Sequence, residues 1–210
     1  MTKETWIEWA QRLQAIAQSG LTYTAEDSYD AERYLQILDI AAEITAVSST
    51  HSLDKIHNIW AAETGYATPK IDVRAGVFQD DAILLVRETA DNNRWTLPGG
   101  WADVGDSPRE AIEREVVEES GFQTKATKLA FCYDRNKHPH PPILFHTYKL
   151  FFLCEIIGGS AETSNETSEV RFFKQDQIPV NDLSICRVVP EQIDLLFTHH
   201  YNQGRPTDFD

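Results

Sequence analysis

An α/β domain preceded by a small all-α domain is the fold class this sequence predicts, and three observations carry the prediction. Over the first third of the chain apolar residues recur at helical spacing, whereas after Thr68-Pro69 the period shortens to that of strands. Two helical segments then interrupt the strands, one in mid-chain with its own start and stop signals and one near the end. A length of 210 residues suffices for one full domain and a smaller one. With 41% hydrophobic and 25% charged residues, the composition is that of a globular fold rather than a disordered chain.

Trp6, Trp9, Ala10, Leu13, Ile16 and Ala17 repeat at i, i+3, i+4, and Gly20 reads as the stop of this first helix. Tyr34, Ile37, Leu38, Ala41 and Ile44 form a second such stripe, widened by Leu35 and Ile40 enough for two packing partners. A third, shorter helix starts at Ser52, uses Leu53, Ile56, Ile59 and Trp60, and ends before Gly65. The expected boundaries are a helical domain over 1–66 and an α/β domain over 67–210, joined at Thr68-Pro69-Lys70, where proline pushes its predecessor out of helical geometry. Strands are expected over 72–78, 82–87, 95–97, 129–133, 146–156 and 170–173, and Pro190 opens a last helix reaching about His200.

The mid-chain helix is the most sharply drawn element. Ser107 is a natural N-cap, Pro108 suits the first helical position, Glu110 closes an S-x-x-E capping box, and Gly121 supplies a left-handed stop. Ala111, Ile112, Val116 and Val117 give the helix a buried side. Glu115, Glu118 and Glu119, spaced i, i+3, i+4, project from another face and can converge on a divalent cation. Such a face is costly without a cation, because crowded like charges repel. Ahead of it, Leu97-Pro98-Gly99-Gly100-Trp101 is a Gly-rich turn whose backbone can come close to a ligand.

These residues resemble the Nudix box, G-x5-E-x7-R-E-U-x-E-E-x-G-U, where U is a bulky aliphatic or aromatic residue. Gly100, Arg114, Glu115, Val116, Glu118, Glu119, Gly121 and Phe122 match it, and Asp106 stands where the box has its first Glu. The stretches 65–75 and 95–105 are similar to a bacterial subfamily that couples a helical N-terminal domain to a Nudix domain. That group is described as ADP-ribose pyrophosphatase-like and includes CDP-choline pyrophosphatases, so the resemblance covers nearly the whole chain. It implies an α/β/α sandwich with a mixed sheet and hydrolysis of a nucleoside diphosphate linked to another moiety, ADP-ribose and CDP-choline both fitting that class. It also implies Mg²⁺ or Mn²⁺ held by Glu115, Glu118, Glu119 and the Gly99 carbonyl, hard oxygen donors for hard cations. Glu118 and Glu119 then serve catalysis, while Gly100, Asp106, Arg114 and Gly121 are structural members of the box, Arg114 orienting a carboxylate.

A further acid is expected from the loop after the box, where Glu166 could bind metal or act as general base and Glu169 reads as readily as a surface residue. Arg74, at the start of the first strand, and Arg135, in the loop 133–142, are candidate substrate-binding bases. Trp101 either covers a nucleobase or belongs to the core. His138 and His140 are too isolated for a transition-metal site and are expected on an exposed proline-rich loop.

A net charge of −14 argues against a broad nucleic-acid or anionic-membrane surface and leaves a small nucleotide as the expected partner. Two other classes stay open: a Nudix-fold ligand-binding or regulatory module, which would more naturally have a broken carboxylate face, and an RNA-directed Nudix enzyme, disfavoured by the acidic balance. The N-terminus has no apolar core of signal-peptide length, so a cytoplasmic protein is expected. Cys132, Cys154 and Cys186 are scattered without a C-x-x-C spacing and read as buried reduced thiols. Finally, Trp6, Trp9 and Trp60 with the face around Ile37, Leu38 and Ile40 are more apolar surface than three short helices bury among themselves, so a homodimer is expected, with residues 1–65 holding it together or lining the substrate entrance.

Overall fold

The computed structural model describes residues 3–49 and 51–210; Met1, Thr2 and Thr50, part of the expected helical domain, lie outside them. The chain divides into two compact units, Met1–Lys70 with Pro141–His146, and Ile71–His140 with Thr147–Asp210. No helix among the described residues is long and apolar enough to cross a membrane.

In the first unit α1 (Lys3–Tyr23), α2 (Tyr29–Ser48) and α3 (Leu53–Ala61) pack around Ala10, Ala41, Ala42, Ile56 and Trp60, with Leu144 and Phe145 of the inserted segment against them. Small side chains let the helices approach closely, and Ser28 and Ser52 cap α2 and α3 by accepting from the Ala31 and Lys55 amides. Gly20 does not stop α1, which continues to Tyr23. A Cβ at Gly20 would lie 2.4 Å from the ring of Tyr34, so this glycine is a window through which the Tyr34 ring crosses the helix. Trp6 and Trp9 form an edge-on pair, 5.3 Å between ring centroids, and stay well exposed; of the three expected tryptophans Trp60 alone is core.

The second unit is an α/β/α sandwich. Its strands are β1 (Lys70–Gln79), β2 (Ala82–Glu88), β3 (Arg94–Thr96), β4 (Phe122–Asp134), β5 (Thr147–Gly159), β6 (Thr167–Lys174) and β7 (Asp208–Phe209); its helices are α4 (Pro108–Ser120) and α5 (Pro190–Tyr201). The sheet order is β3-β2-β1-β5-β4-β7, with β6 pairing antiparallel to β2. Pairing of β4 with β7 is parallel, which makes the sheet mixed.

Strand alternation builds two cores. Val73, Ala75, Val77, Leu84, Phe152 and Cys154 pack with Ala111, Ile112 and Val116 of α4, whereas Ile83, Leu85, Phe151 and Leu153 pack with Ile193, Leu196 and Phe197 of α5. Val117, expected in the core, is exposed, because the apolar stripe of α4 is narrower than its composition suggests. Two further expectations change. The strand β4 starts at Phe122, directly after α4, since its first half pairs with β5 despite alternating lysines and threonines. The three cysteines are free, yet only Cys154 is buried and Cys186 is exposed.

Candidate active site

The capping box closes as its sequence requires: Ser107 Oγ accepts from the Glu110 amide at 3.3 Å, and the Ser107 amide donates to Glu110 Oε2 at 2.9 Å. At the other end Gly121, at φ 76°, donates its amide to the Val117 carbonyl at 2.9 Å. Both ends of α4 are therefore fixed, and with them the direction of its carboxylates.

The three carboxylates do not share one fate. Glu115 and Glu119 are buried, at 9% and 3% exposure, while Glu118 turns outward. Arg114 gathers the rest, bonding Asp106 at 3.0 Å, Glu115 at 2.9 Å and Glu118 at 2.9 Å, with Asp103 at 3.3 Å. Asp106 thus reaches Arg114 even with its shorter side chain. Among the described residues no three His, Cys, Asp or Glu side chains lie close enough together to hold a metal ion as they stand, because Glu118 is drawn onto Arg114 and away from the inner pair.

Glu119 is the most perturbed of these acids. Burial pushes its carboxyl up to about 7, Glu115 and Glu88 add like-charge repulsion, and Arg74 with the Gly99 amide oppose the rise. Burial likewise raises Glu115, against the pull of Arg114. The Gly99 amide donates to Glu119 Oε2 at 2.9 Å, and Thr167 Oγ1 donates to the Glu119 carbonyl at 2.7 Å. A buried pair of destabilised carboxylates is a setting that a divalent cation relieves.

The Gly-rich turn lies against β1. Pro98 and Gly100 carbonyls accept from the Ala75 and Val73 amides at 2.9 Å and 2.8 Å, which leaves the buried Gly99 carbonyl without a hydrogen-bond donor among the described residues. Gly99 sits at φ 138°, and a Cβ there would fall 2.0 Å from the Val73 carbonyl oxygen; at Gly100 it would fall 2.8 Å from Glu115 Oε2. An orphaned buried carbonyl beside two buried carboxylates is an all-oxygen donor set, which fits Mg²⁺ or Mn²⁺ better than a soft metal.

Arg74 is fully engaged. Its Nε and Nη2 donate to the two oxygens of Asp72 at 3.0 Å and 2.8 Å, and Nη1 donates to the Leu97 carbonyl at 3.2 Å. Lys149 of β5 joins the same carboxylate at 2.5 Å. Arg135 is buried to 2% and donates to the Cys186 carbonyl at 3.2 Å. His140 is not on an exposed loop as expected: it is buried, with Nδ1 at 2.8 Å from the Ile185 carbonyl and Nε2 at 3.0 Å from Gln192 Nε2. Its ring is therefore neutral and protonated on Nδ1, and burial holds its pKa down at about 4. His138 instead stacks on Tyr133 and meets the Asp210 carboxylate.

Trp101 is half exposed and bridges Asp72 through the backbone, so it is not core. The Glu166 side chain is exposed, while its carbonyl accepts from Thr89. Glu169 lies 3.2 Å from Arg87 and also bonds Arg171. Sequence reasoning missed Asp72, Lys149 and Glu88. Glu88 is buried, accepting from the Ala90 amide at 3.2 Å with Arg187 at 3.4 Å. The available signal was charge at alternate positions within otherwise apolar strands, Asp72 and Arg74 between Ile71, Val73 and Ala75, and Lys149 before Leu150 and Phe151.

Residues 4–60 match the family model described as a UDP-X-like N-terminal oligomerisation domain, and residues 68–193 match the model described as the NUDIX domain. A Bacillus subtilis (strain 168) protein provisionally named ADP-ribose pyrophosphatase YjhB is 42% identical over 205 residues, covering 98% of this chain and 97% of that one. The ADP-ribose pyrophosphatase of Methanocaldococcus jannaschii is 29% identical over 118 residues, 54% of this chain and 67% of that one. Among solved structures, a UDP-X diphosphatase is 34% identical with a TM-score of 0.62, both chains being covered to 100%. An ADP-ribose pyrophosphatase from Streptococcus suis 89-1591 is 36% identical, also at a TM-score of 0.62, over 68% of this chain and 100% of that one.

Proposed function

From the premise that this chain belongs to the Nudix family, as a hydrolase of diphosphate bonds, we propose that its substrate is a nucleoside diphosphate linked to another moiety, cleaved to a nucleoside monophosphate and a phosphorylated moiety. The observation that carries the reading is the buried pair Glu115 and Glu119 beside the donor-free Gly99 carbonyl. ADP-ribose stands first, because the relative matching nearly all of this chain is provisionally named for it. A UDP-linked moiety stands beside it, because the neighbour covered end to end is a UDP-X diphosphatase. CDP-choline belongs to the same chemical class.

Nudix hydrolases generally need divalent cations, and Mg²⁺ or Mn²⁺ is the proposed one here. When bound, it offsets the charge of the diphosphate and lowers the pKa of bound water. Glu115, Glu119 and the Gly99 carbonyl would hold it, and Glu118 would reach it by rotating off Arg114. Arg114, with Asp106 as its anchor, keeps Glu115 in orientation. Glu166, exposed on the loop before β6, is the proposed acceptor of the proton released from the attacking water. Trp101 offers a half-exposed ring to a nucleobase, Arg135 binds phosphate, and Arg74 positions Asp72 and the Leu97 carbonyl rather than touching substrate.

The N-terminal unit matches an oligomerisation model, and the proposed state is a homodimer. Leu35, Ile40 and Val47 on α2 are exposed, and a cavity of about 550 Å³ opens among Leu21, Leu35, Leu38 and Trp60. That is apolar surface for a second copy to cover.

Phosphate release from ADP-ribose, UDP-sugars and CDP-choline, coupled to a phosphatase and run with Mg²⁺, with Mn²⁺ and with chelator, tests the reading. Cation-dependent turnover of at least one compound is expected. No turnover of any of them with either cation would refute it.

A further inference from the structure

On the α5 side of the sheet, the face opposite the carboxylate helix, buried cations outnumber buried anions among the described residues. Among the described residues Asp72 is the one carboxylate there, and it serves two cations at once: both its oxygens take Arg74, and Oδ1 also takes Lys149. That oxygen is the sole hydrogen-bond acceptor of the Lys149 ammonium among the described residues, although the side chain is buried to 1%. Arg135, buried to 2%, has no carboxylate within ion-pair distance among the described residues, and the Cys186 carbonyl is its single acceptor for five N–H groups. His140 offers no compensation, since its ring is neutral and both nitrogens are engaged.

Burial drives both cations downward in pKa, Lys149 to about 8; Asp72 supports both, while Arg74 and Arg135 depress Lys149 further. A protein that removes guanidinium and ammonium groups from water without matching anions bears a cost of several kcal/mol per ion. Such a cost is offset when an anion arrives with several acceptor oxygens, as a phosphoryl group does.

We propose that Lys149 and Arg135 together form a buried anion-binding position that takes a phosphoryl group of the substrate. This rests on the nucleoside diphosphate reading above and adds to it a residue, Lys149, and a place. Arg74 ties the position to the reaction centre: it shares Asp72 with Lys149 and stands in the field of Glu119 and Glu115. The link to the box carboxylates therefore runs through Arg74 and Asp72, and an apolar or uncharged moiety gains nothing from this position.

The test is titration calorimetry of inorganic pyrophosphate into the full chain in chelator, with wild type, Lys149→Met and Arg135→Gln. Lys149→Met is a near-isosteric change that leaves Asp72 its two bonds from Arg74. Each substitution should weaken pyrophosphate roughly tenfold or more, the loss of one charge-assisted contact, and should raise KM for the hydrolysed substrate more than it lowers kcat. Lys149→Arg, which keeps the charge, should recover much of the affinity.

Affinity unchanged in both charge-removing variants, or no pyrophosphate binding by wild type, overturns the proposal. Should one charge-removing variant not fold, the other decides, since Lys149 and Arg135 lie on different elements. Should wild type bind pyrophosphate through these residues yet hydrolyse no nucleotide in the panel, the functional reading fails and the anion position stands. Should it hydrolyse a nucleotide with the KM and pyrophosphate affinity of the variants unaltered, only the anion position fails.

Discussion

Replacing Asp72 by Asn removes one negative charge from contact with two buried cations, and the consequence can be worked from the geometry. Arg74 loses a bidentate partner at 3.0 Å and 2.8 Å, and Lys149 loses its 2.5 Å oxygen. Breaking a buried ion pair by deleting one partner costs about 3–5 kcal/mol, because the remaining charge stays out of water. For a chain of this size each kcal/mol is worth about 2–4 °C, so the melting temperature of Asp72→Asn should fall by roughly 10 °C at pH 7.5. Adding Lys149→Met removes one of the orphaned charges and should return part of that loss.

The same carboxylate sets an acid limb. Burial alone would raise its pKa, but Arg74 and Lys149 overcome that and hold it at about 2, against 3.8 for the free group. Its folded pKa is depressed, so the stability it contributes is present above 3.8 and is lost as pH falls towards 2, where the unfolded chain takes up the proton first. The lowering corresponds to about 2 kcal/mol. Differential scanning calorimetry between pH 2 and pH 5 should show a slope in wild type that is smaller in the variant. A single variant melting within about 2 °C of wild type at pH 7.5, with no gain in the double variant, would refute the reasoning.

Glu119→Gln should lower turnover by about two orders of magnitude or more with the fold retained, and Glu118→Gln by a similar factor if Glu118 leaves Arg114 during the reaction. Near-wild-type rates for both at saturating Mg²⁺ would remove α4 from the metal site. In the helical unit Gly20→Ala should destabilise by about 1–3 kcal/mol, although alanine is the better helix former by about 1 kcal/mol, because the new methyl meets the Tyr34 ring at 2.4 Å. A stabilised variant in urea denaturation would mean that the ring yields. Light scattering should report a dimer for the full chain at micromolar concentration and a shift to monomer for Leu35→Asp with Ile40→Asp; a monomeric wild type would count against the proposed assembly.

How far the fold could be read in advance followed from how local the deciding interactions are. Capping is local, so α4 was legible to the residue: Ser107, Pro108, Glu110 and Gly121 all act within one turn of the ends they fix. Gly20 was misread for the opposite reason. A glycine late in an amphipathic stretch signals a stop unless a distant ring needs the space, and Tyr34 is fourteen positions away, on another helix. The first half of β4, residues 123–128, carries too few apolar residues to announce a strand; pairing with β5, not its own composition, makes it one.

At the site the same distinction separates what helical spacing gives from what charge balance decides. Spacing put Glu115, Glu118 and Glu119 on one side of α4, and they are there, yet it could not apportion them between burial and Arg114. That apportioning depends on the Gly99 amide, on Arg74 and on Glu88, which come from three other stretches of chain. Asp72 and Lys149 lie 77 positions apart and make sense only as a pair across neighbouring strands β1 and β5. A charged residue at every second position of a buried strand is nonetheless an informative pattern, because a hydrophobic interior tolerates it only where partners or ligands complete the charge. In this chain Lys149 shares its one carboxylate, Asp72, with Arg74, and Arg135 has none within ion-pair distance among the described residues. The excess positive charge lies in a protein whose net charge is −14, so it is a local, built feature rather than a by-product of composition, and a phosphoryl group is the counterion proposed for it.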